Sequence, residues 1–186
     1  MRQTGLTVIA CALLLCAGTA LGQAEHRFIN NGNGTISDRK TGLMWEQKTG
    51  EAGGPSNPGD VHDVNNRYTW SDSGKNGDGT AFTVFLRTLN GCGTTCFAGH
   101  CDWRLPSIRE LKEIVDHSAP GCGKRTAPCI NPIFAPTGPM QASFYWSGTT
   151  DADEPGDARG VVFRFGLGET FVKTFDFYVR AVRSGL

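Results

Sequence analysis

Four residues with metal-ligand side chains lie close together in the middle of the chain. They are Cys92, Cys96, His100 and Cys101. Thiolates and imidazoles at such spacing hold zinc when the cysteines stay reduced and the ligands close into a tetrahedron. In an oxidising compartment the same cysteines form disulfides instead. The choice between the two therefore depends on where the protein resides.

Residues 1–24 have the features of a secretory signal peptide. Arg2 gives a positive start, residues 6–15 form a short apolar core, and small residues before Glu25 offer a cleavage site. The apolar run is too short to be a transmembrane segment. We therefore expect an exported protein, in the periplasm, at the outer surface or secreted, whose single mature domain covers residues 25–186.

Export makes disulfides the expected state of the cysteines. Five of the seven cysteines lie beyond residue 24, which gives two bridges and one thiol left over. The sequence leaves the pairing open, and we favour the short loops Cys96–Cys101 and Cys122–Cys129, with Cys92 unpaired. A zinc site remains an alternative, as does a reactive Cys92, which would need a lowered pKa and an orienting base.

An acidic loop offers ligands of another kind. Residues 151–157 hold the carboxylates of Asp151, Asp153, Glu154 and Asp157. Calcium binds several such oxygens on a flexible loop, so a calcium site is one interpretation. The alternative is a solvated acidic loop without an ion. A second group consists of Asp60, His62 and Asp63. These residues either hold a cation or simply form a turn.

Four cations near the end of the chain are candidates for binding an acidic or sulfated glycan on the closing strands. They are Arg164, Lys173, Arg180 and Arg183. The alternative is that they pair with carboxylates or line a polar sheet face. A sugar-stacking platform also needs an exposed aromatic ring, whereas the four tryptophans lie within strand and cap patterns that predict burial for most of them.

The composition limits the classes of partner. Eighteen basic and eighteen acidic residues balance, which argues against nucleic acid or an anionic membrane as an obligatory partner. The chain of 186 residues is long enough for one domain with a core, and 25 glycines and nine prolines favour a turn-rich fold.

Two segments have the periodicity of helices. Ser107 and Glu110 form a capping box, and apolar residues follow at spacings of three and four, which predicts a helix over 107–117. A second apolar stripe predicts a helix over 81–90.

The other signals are strands joined by turns. Most of these strands are predicted at 26–29, 35–38, 43–46, 144–147 and 178–183. Alternating apolar residues also predict a strand from Val161 to Phe165, a turn at 166–169 and a return strand at 171–175. Strands, then two helices, then strands predict an α+β fold with an antiparallel sheet.

Five short motifs appear in a fixed order along the chain. They are Asn33–Asp38, Thr41–Trp45, Asp102–Pro106, Tyr145–Ser147 and Val179–Arg183. With this series the chain resembles the Lcl C-terminal domain family, named for bacterial collagen-like adhesins. The resemblance implies a C-type lectin-like fold, related to that of formylglycine-generating enzymes, with two helices packed on antiparallel strands and the termini close together.

The same resemblance implies an adhesion-type role. Some members of the family are suggested to bind extracellular polysaccharide, although the collagen-like repeat of such adhesins is absent here. An enzyme of the formylglycine-generating type would need reactive cysteines near its C-terminus, and no cysteine follows Cys129. We therefore expect a non-catalytic module without an obligatory cofactor that binds an extracellular glycan or surface protein. A metal- or thiol-dependent enzyme and a structural envelope domain are the alternatives.

Overall fold

The computed structural model describes residues 26–91, 95–134 and 140–185. The predicted signal peptide and Cys92 lie outside these residues. Within them the fold is mixed, with few helices and mostly antiparallel sheets, as the sequence predicted. None of the helices in the described ranges combines the length and the apolar character that crossing a bilayer requires.

Nine short strands and two α-helices make up most of the regular structure of the described residues. The strands are β1 (Phe28–Asn30), β2 (Thr35–Asp38), β3 (Leu43–Glu46), β4 (Tyr68–Thr69), β5 (Phe144–Thr150), β6 (Asp157–Val162), β7 (Leu167–Val172), β8 (Asp176–Phe177) and β9 (Val182–Ser184). The helices are α1 (Arg87–Leu89) and α2 (Ile108–Glu113), with short 3₁₀ turns at Phe97–Gly99 and Pro132–Phe134.

The strands form three antiparallel sheets. The first has the order β1-β2-β3-β9, so the closing strand pairs with the N-terminal hairpin, Trp45 lying opposite Val182. The second joins β4 to β8, and the third has the order β5-β6-β7. The two ends of the described chain therefore meet in one sheet.

The predicted helix over 107–117 is present but shorter. Ser107 Oγ accepts the Glu110 N–H at 3.2 Å, and the Glu110 carboxylate accepts the Ser107 N–H at 2.7 Å, which is the predicted capping box. The helix ends at Glu113 because the next residues leave it: the Asp116 N–H donates to the carbonyl of Cys129 at 2.9 Å. Tertiary pairing thus stops α2 before its apolar pattern ends.

The predicted helix over 81–90 is also present, with an unexpected first part. Ala81–Leu86 has the wider hydrogen-bonding pattern of a π-helix, and α1 continues it as a single α-helical turn. The apolar stripe faces inward, since Phe85 and Leu89 are buried.

The turn between β6 and β7 lies three residues earlier than predicted. The chain turns at 163–166, and 167–172 is already strand β7. Gly166 has a φ of +67°, which suits a glycine, whereas Phe163 is buried and holds the start of the turn against the core. The prediction failed because Phe163 and Phe165 keep the apolar alternation of β6 beyond the end of that strand.

Two apolar clusters fill the interior. One surrounds Trp70, Phe85 and Trp146 and contains the inward face of α1. The other surrounds Trp45, Phe134 and Tyr145 and contains Leu111 and Ile114 from the α2 segment. The outward face of α2 is left to line a surface groove.

Candidate ligand-binding groove

Two clefts adjoin along the outward side of α2. The first has a volume of about 630 Å³, the second about 380 Å³, and Glu113 lines both. We call the pair the α2 groove. The first cleft is lined by His26, Arg27, Phe28, Ile29, Glu113, Ile114, Val115, Asp116, Asn131 and Ile133. The second is lined by Lys40, Thr41, Leu43, Arg109, Glu110 and Glu113.

Glu113 stands at the centre of the groove between two cations. Its carboxylate accepts from Lys40 Nζ at 2.8 Å, and the Arg27 guanidinium lies 3.6 Å away. The hydrogen bond and the charge of Lys40, helped by Arg27, lower the pKa of Glu113 below its usual value. The carboxylate is therefore a stable anion at neutral pH, whereas a general acid needs a raised pKa.

A buried carboxylate holds Arg27 in place. The Arg27 guanidinium donates to both oxygens of Asp38, at 2.8 and 2.7 Å, and lies 4.5 Å over the Phe28 ring. Asp38 is fully buried and also accepts from Thr41 Oγ1 at 2.8 Å. Burial by itself raises the pKa of Asp38, but these hydrogen bonds, above all that of Arg27, outweigh it and lower the pKa. Arg27 is thus presented to the groove in one orientation.

The two ends of the groove differ in chemistry. At the first cleft, Asp116 and Asn131 each use one side-chain oxygen to hold their own loop: Asp116 accepts from Ser118 Oγ at 2.6 Å, and Asn131 accepts from the Ile133 N–H at 3.0 Å. At the second cleft, the exposed Arg109 pairs with no carboxylate in the part of the chain that the structure describes. Both ends therefore retain polar groups that a ligand can contact.

A buried charge cluster lies at the end of β3. Glu46 is fully buried, and its Oε1 accepts from Lys48 Nζ at 2.9 Å and from His62 Nδ1 at 2.8 Å, while Oε2 accepts the Ala181 N–H at 2.9 Å. Burial opposes the charged form, yet Lys48 and His62 outweigh it and lower the pKa of Glu46 to about 2. Both carboxylate oxygens of Glu46 thus have partners within the protein, which is typical of a structural ion pair.

The predicted patch of four cations does not form. Lys173 and Arg180 are buried, with 1% and 0% of their surface exposed, so neither is available to a glycan. Arg180 donates to the backbone carbonyls of Glu46 and Phe134, and Lys173 Nζ donates to the carbonyls of Lys75 and Pro155, both at 2.8 Å. Their alkyl stems pack in the interior and backbone oxygens accept from both charged groups, although Arg180 Nε has no partner among the described residues.

The other two cations of that patch lie apart from the α2 groove. Arg183 pairs with Asp102 through Nε at 2.7 Å, which lowers the pKa of that carboxyl. Arg164 is half-buried, and its guanidinium lies 4.9 Å over the Phe165 ring. Arg183 thus pairs with a carboxylate, as the alternative interpretation expected, whereas Arg164 contacts an aromatic ring.

The acidic loop at 151–157 uses its first carboxylate locally. Asp151 Oδ1 accepts the N–H groups of Asp153 and Glu154 at 3.0 and 3.2 Å, and Oδ2 faces Arg159 at 3.7 Å. The side chains of the loop do not form one of the ligand clusters found among the described residues. Calcium binding there stays a prediction. Asp60 and Asp63 likewise accept backbone N–H groups two residues ahead, as turn-forming aspartates do.

Four cysteines are joined in pairs. The bonds are Cys96–Cys101 and Cys122–Cys129, the two pairs that the sequence favoured. Bonding of Cys96 to Cys101 removes two ligands from the predicted zinc cluster. Cys92, predicted to be the unpaired thiol, lies outside the described residues. All four tryptophans are buried, so none offers a face for stacking a sugar.

None of the residues of the α2 groove was predicted from the sequence as a functional residue, and Glu110 was expected only in the capping box. They come from β1, the turn after β2, α2 and the 3₁₀ turn at Pro132–Phe134, segments far apart in the chain. The available signal was the polar face of the predicted helix, where Arg109 and Glu113 flank the buried Leu111.

Comparison with known proteins places the chain in one family. No curated protein and no solved structure matches it. The family model described as the Lcl C-terminal domain matches residues 34–183, most of the chain and all but one of the groove segments. The chain therefore belongs to the Lcl C-terminal domain family.

Proposed function

We propose that the protein is a non-catalytic binding module that holds a neutral oligosaccharide in the α2 groove. The observation that carries the proposal is the pairing of Glu113 with Lys40 and Arg27 at the meeting point of the two clefts. Sugar hydroxyls both donate and accept hydrogen bonds, so they suit a surface where carboxylates and cations alternate. Apolar side chains between these groups, such as Ile29 and Ile133, suit the faces of sugar rings.

The charge balance favours a neutral ligand over a sulfated one. Three cations line the groove, namely Arg27, Lys40 and Arg109, and so do three carboxylates, namely Glu110, Glu113 and Asp116. A polysulfated chain would meet as many negative as positive groups there. With Lys173 and Arg180 buried, the four cations predicted to bind a sulfated chain do not offer a shared basic surface.

Export and a lectin-like fold are part of the same proposal. Two disulfides suit an oxidising compartment, so we place the domain in the periplasm, at the outer surface or outside the cell. A sheet that joins the first and last strands supports the C-type lectin-like expectation, in which the termini lie close together. An adhesive role would then rest on the groove.

A glycan array followed by titration calorimetry tests the proposal. We expect retention of neutral oligosaccharides, little retention on heparin at moderate salt, and an affinity lowered about tenfold by Glu113→Gln or Arg109→Gln. Asp153→Asn, an exposed carboxylate in a loop outside the groove, is the matched control and should bind as the parent does. Binding of sulfated chains alone, binding to no glycan, or equal loss in the control would contradict the proposal.

A further inference from the structure

A histidine lies directly beside the Cys122–Cys129 disulfide. His117 Nδ1 is 4.0 Å from Cys122 Sγ, and the ligand atoms of His117, Cys122 and Cys129 all lie within 4.8 Å of one another. No other residues of the described ranges form such a group of three. From this geometry we infer that reduction of the disulfide converts it into a zinc site with two thiolates and one imidazole.

The distances suit zinc after a small movement. Tetrahedral zinc with Zn–S bonds of about 2.3 Å and Zn–N bonds of about 2.0 Å holds its ligand atoms roughly 3.5–3.8 Å apart. The His117–Cys122 separation of 4.0 Å is already close to that value. The two sulfurs must part and His117, whose ligand nitrogen lies within 4.8 Å of Cys129 Sγ, must stay near both of them. The side chains that would move are accessible, since Cys122 is partly exposed and His117 is exposed.

The backbone keeps the ligands together once the disulfide opens. The Cys129 N–H donates to the carbonyl of Phe163 at 2.7 Å, and the Cys129 carbonyl accepts the Asp116 N–H at 2.9 Å. Cys129 is thereby tied both to the turn after β6 and to the residue next to His117. The Gly123 N–H also donates to the Arg164 carbonyl at 3.0 Å, which holds the chain next to Cys122.

The buried sulfur has a partner ready for its reduced form. Cys129 Sγ lies 3.2 Å from the Arg164 carbonyl oxygen. A disulfide sulfur carries no proton, so in the bonded form this is a contact without a hydrogen bond. A thiol at Cys129 would donate to that oxygen, which favours the reduced dithiol until zinc displaces the proton.

The chemistry balances as two steps. A dithiol reductant gives two electrons and two protons, the Cys122–Cys129 bond breaks to two thiols, and the reductant becomes a disulfide. Zinc then displaces both thiol protons and accepts the neutral imidazole of His117. With three protein ligands, the fourth position is left for water, as in open zinc sites.

Metal titration of the full protein, before and after reduction, tests the inference. We expect the reduced protein to bind one Zn²⁺ or Co²⁺, with a thiolate-to-cobalt absorption band, and the oxidised protein to show no such band. His117→Ala should weaken the reduced protein's affinity by at least about tenfold. The matched control is His100→Ala, which removes the histidine next to the other disulfide and should leave the affinity unchanged.

Two further results would overturn the inference, apart from failure of the reduced protein to bind metal. One is His117→Ala binding metal as well as the parent, and the other is His100→Ala losing the band instead. His117 is exposed, so its replacement by alanine leaves the core untouched, and circular dichroism of the reduced variant verifies the fold. Cys122→Ser provides an independent variant, which lacks the Cys122–Cys129 bond and one ligand, and it should show no band even after Cys96–Cys101 is reduced.

Discussion

Lys48 Nζ lies 2.9 Å from Glu46 Oε1, and both side chains are almost completely removed from solvent. Their spacing of two residues places them on the same side of an extended chain. Taking either charge out of water alone would cost several kcal/mol, and the ion pair offsets much of that cost, while His62 gives Glu46 a second partner. The pair joins β3 to the segment before β9, because Glu46 also accepts the Ala181 N–H.

Replacing Glu46 by glutamine should destabilise the protein strongly. The change leaves the ammonium of Lys48 buried without its counter-ion, and we expect the free energy of unfolding to fall by about 3–5 kcal/mol. Urea unfolding followed by tryptophan fluorescence measures it. Glu169→Gln, an exposed site on β7, should change stability by less than about 0.5 kcal/mol. If adding Lys48→Met to the Glu46 variant restores none of the loss, the buried charge is not its cause.

Stability should decrease in acid over a defined range. The pKa of Glu46 is about 2 in the folded protein against 4.5 for an ordinary glutamate, and the pKa of Glu110 is lowered to about 2 as well, chiefly by Arg104. The unfolded chain therefore binds more protons, and this contribution is complete above about pH 4.5 and is lost as the pH falls towards 2. Urea midpoints measured across that range should fall, and less steeply in Glu110→Gln. Equal slopes in parent and variant would rule out a contribution from Glu110.

Lys173 should stabilise the loops that contain Lys75 and Pro155 by binding to both. Its Nζ donates to the carbonyls of Lys75 and Pro155 and lies 4.2 Å over the Trp70 ring. Lys173→Met keeps the alkyl stem but loses both hydrogen bonds, and we expect a loss of about 1.5–3 kcal/mol. Hydrogen exchange at 72–77 and 152–156 should accelerate more than elsewhere. Lys124→Met, at an exposed position, is the control, and uniform acceleration throughout the chain would contradict a local role.

Two glycines with the same backbone conformation should respond differently to alanine. Gly42 has a φ of +69° and Gly166 a φ of +67°, so both substitutions cost about 1–2 kcal/mol in backbone strain. A Cβ at Gly42 would meet no described atom within 4 Å, whereas at Gly166 it would lie 2.5 Å from Val115 Cγ1 and 2.6 Å from His117 Cε1. We expect Gly166→Ala to cost about 1–3 kcal/mol more in thermal and urea unfolding. Equal losses of stability in the two variants would show that the turn at 163–166 shifts to accommodate the added methyl group without a further cost.

The features that the sequence predicted well are local. The capping box joins Ser107 to Glu110, three positions apart, and the disulfide joins Cys122 to Cys129, seven positions apart. In both, the partners are close in the chain, so their types and spacing are sufficient. The early end of α2 shows the limit, because the bond from Asp116 to the Cys129 carbonyl depends on where a later segment packs.

The features that the sequence did not predict depend on distant partners. Arg180 is buried because it donates to the carbonyl of Glu46, 134 positions away, and no pattern around Arg180 reveals that acceptor. Charged side chains are usually exposed, so the expected surface patch followed the general rule. The α2 groove is hidden from sequence for the same reason, since Arg27, Glu113 and Asn131 meet only in the folded chain.

The partnership of β3 with β9 sets the order in which the molecule can form. Strand β3, which ends at Glu46, has one edge without a hydrogen-bonding partner until β9, which begins at Val182, has emerged from the ribosome. Bringing such distant segments together carries a large loop-closure entropy, which slows folding. During synthesis the unpaired edge of β3 is thus open to pairing with another molecule.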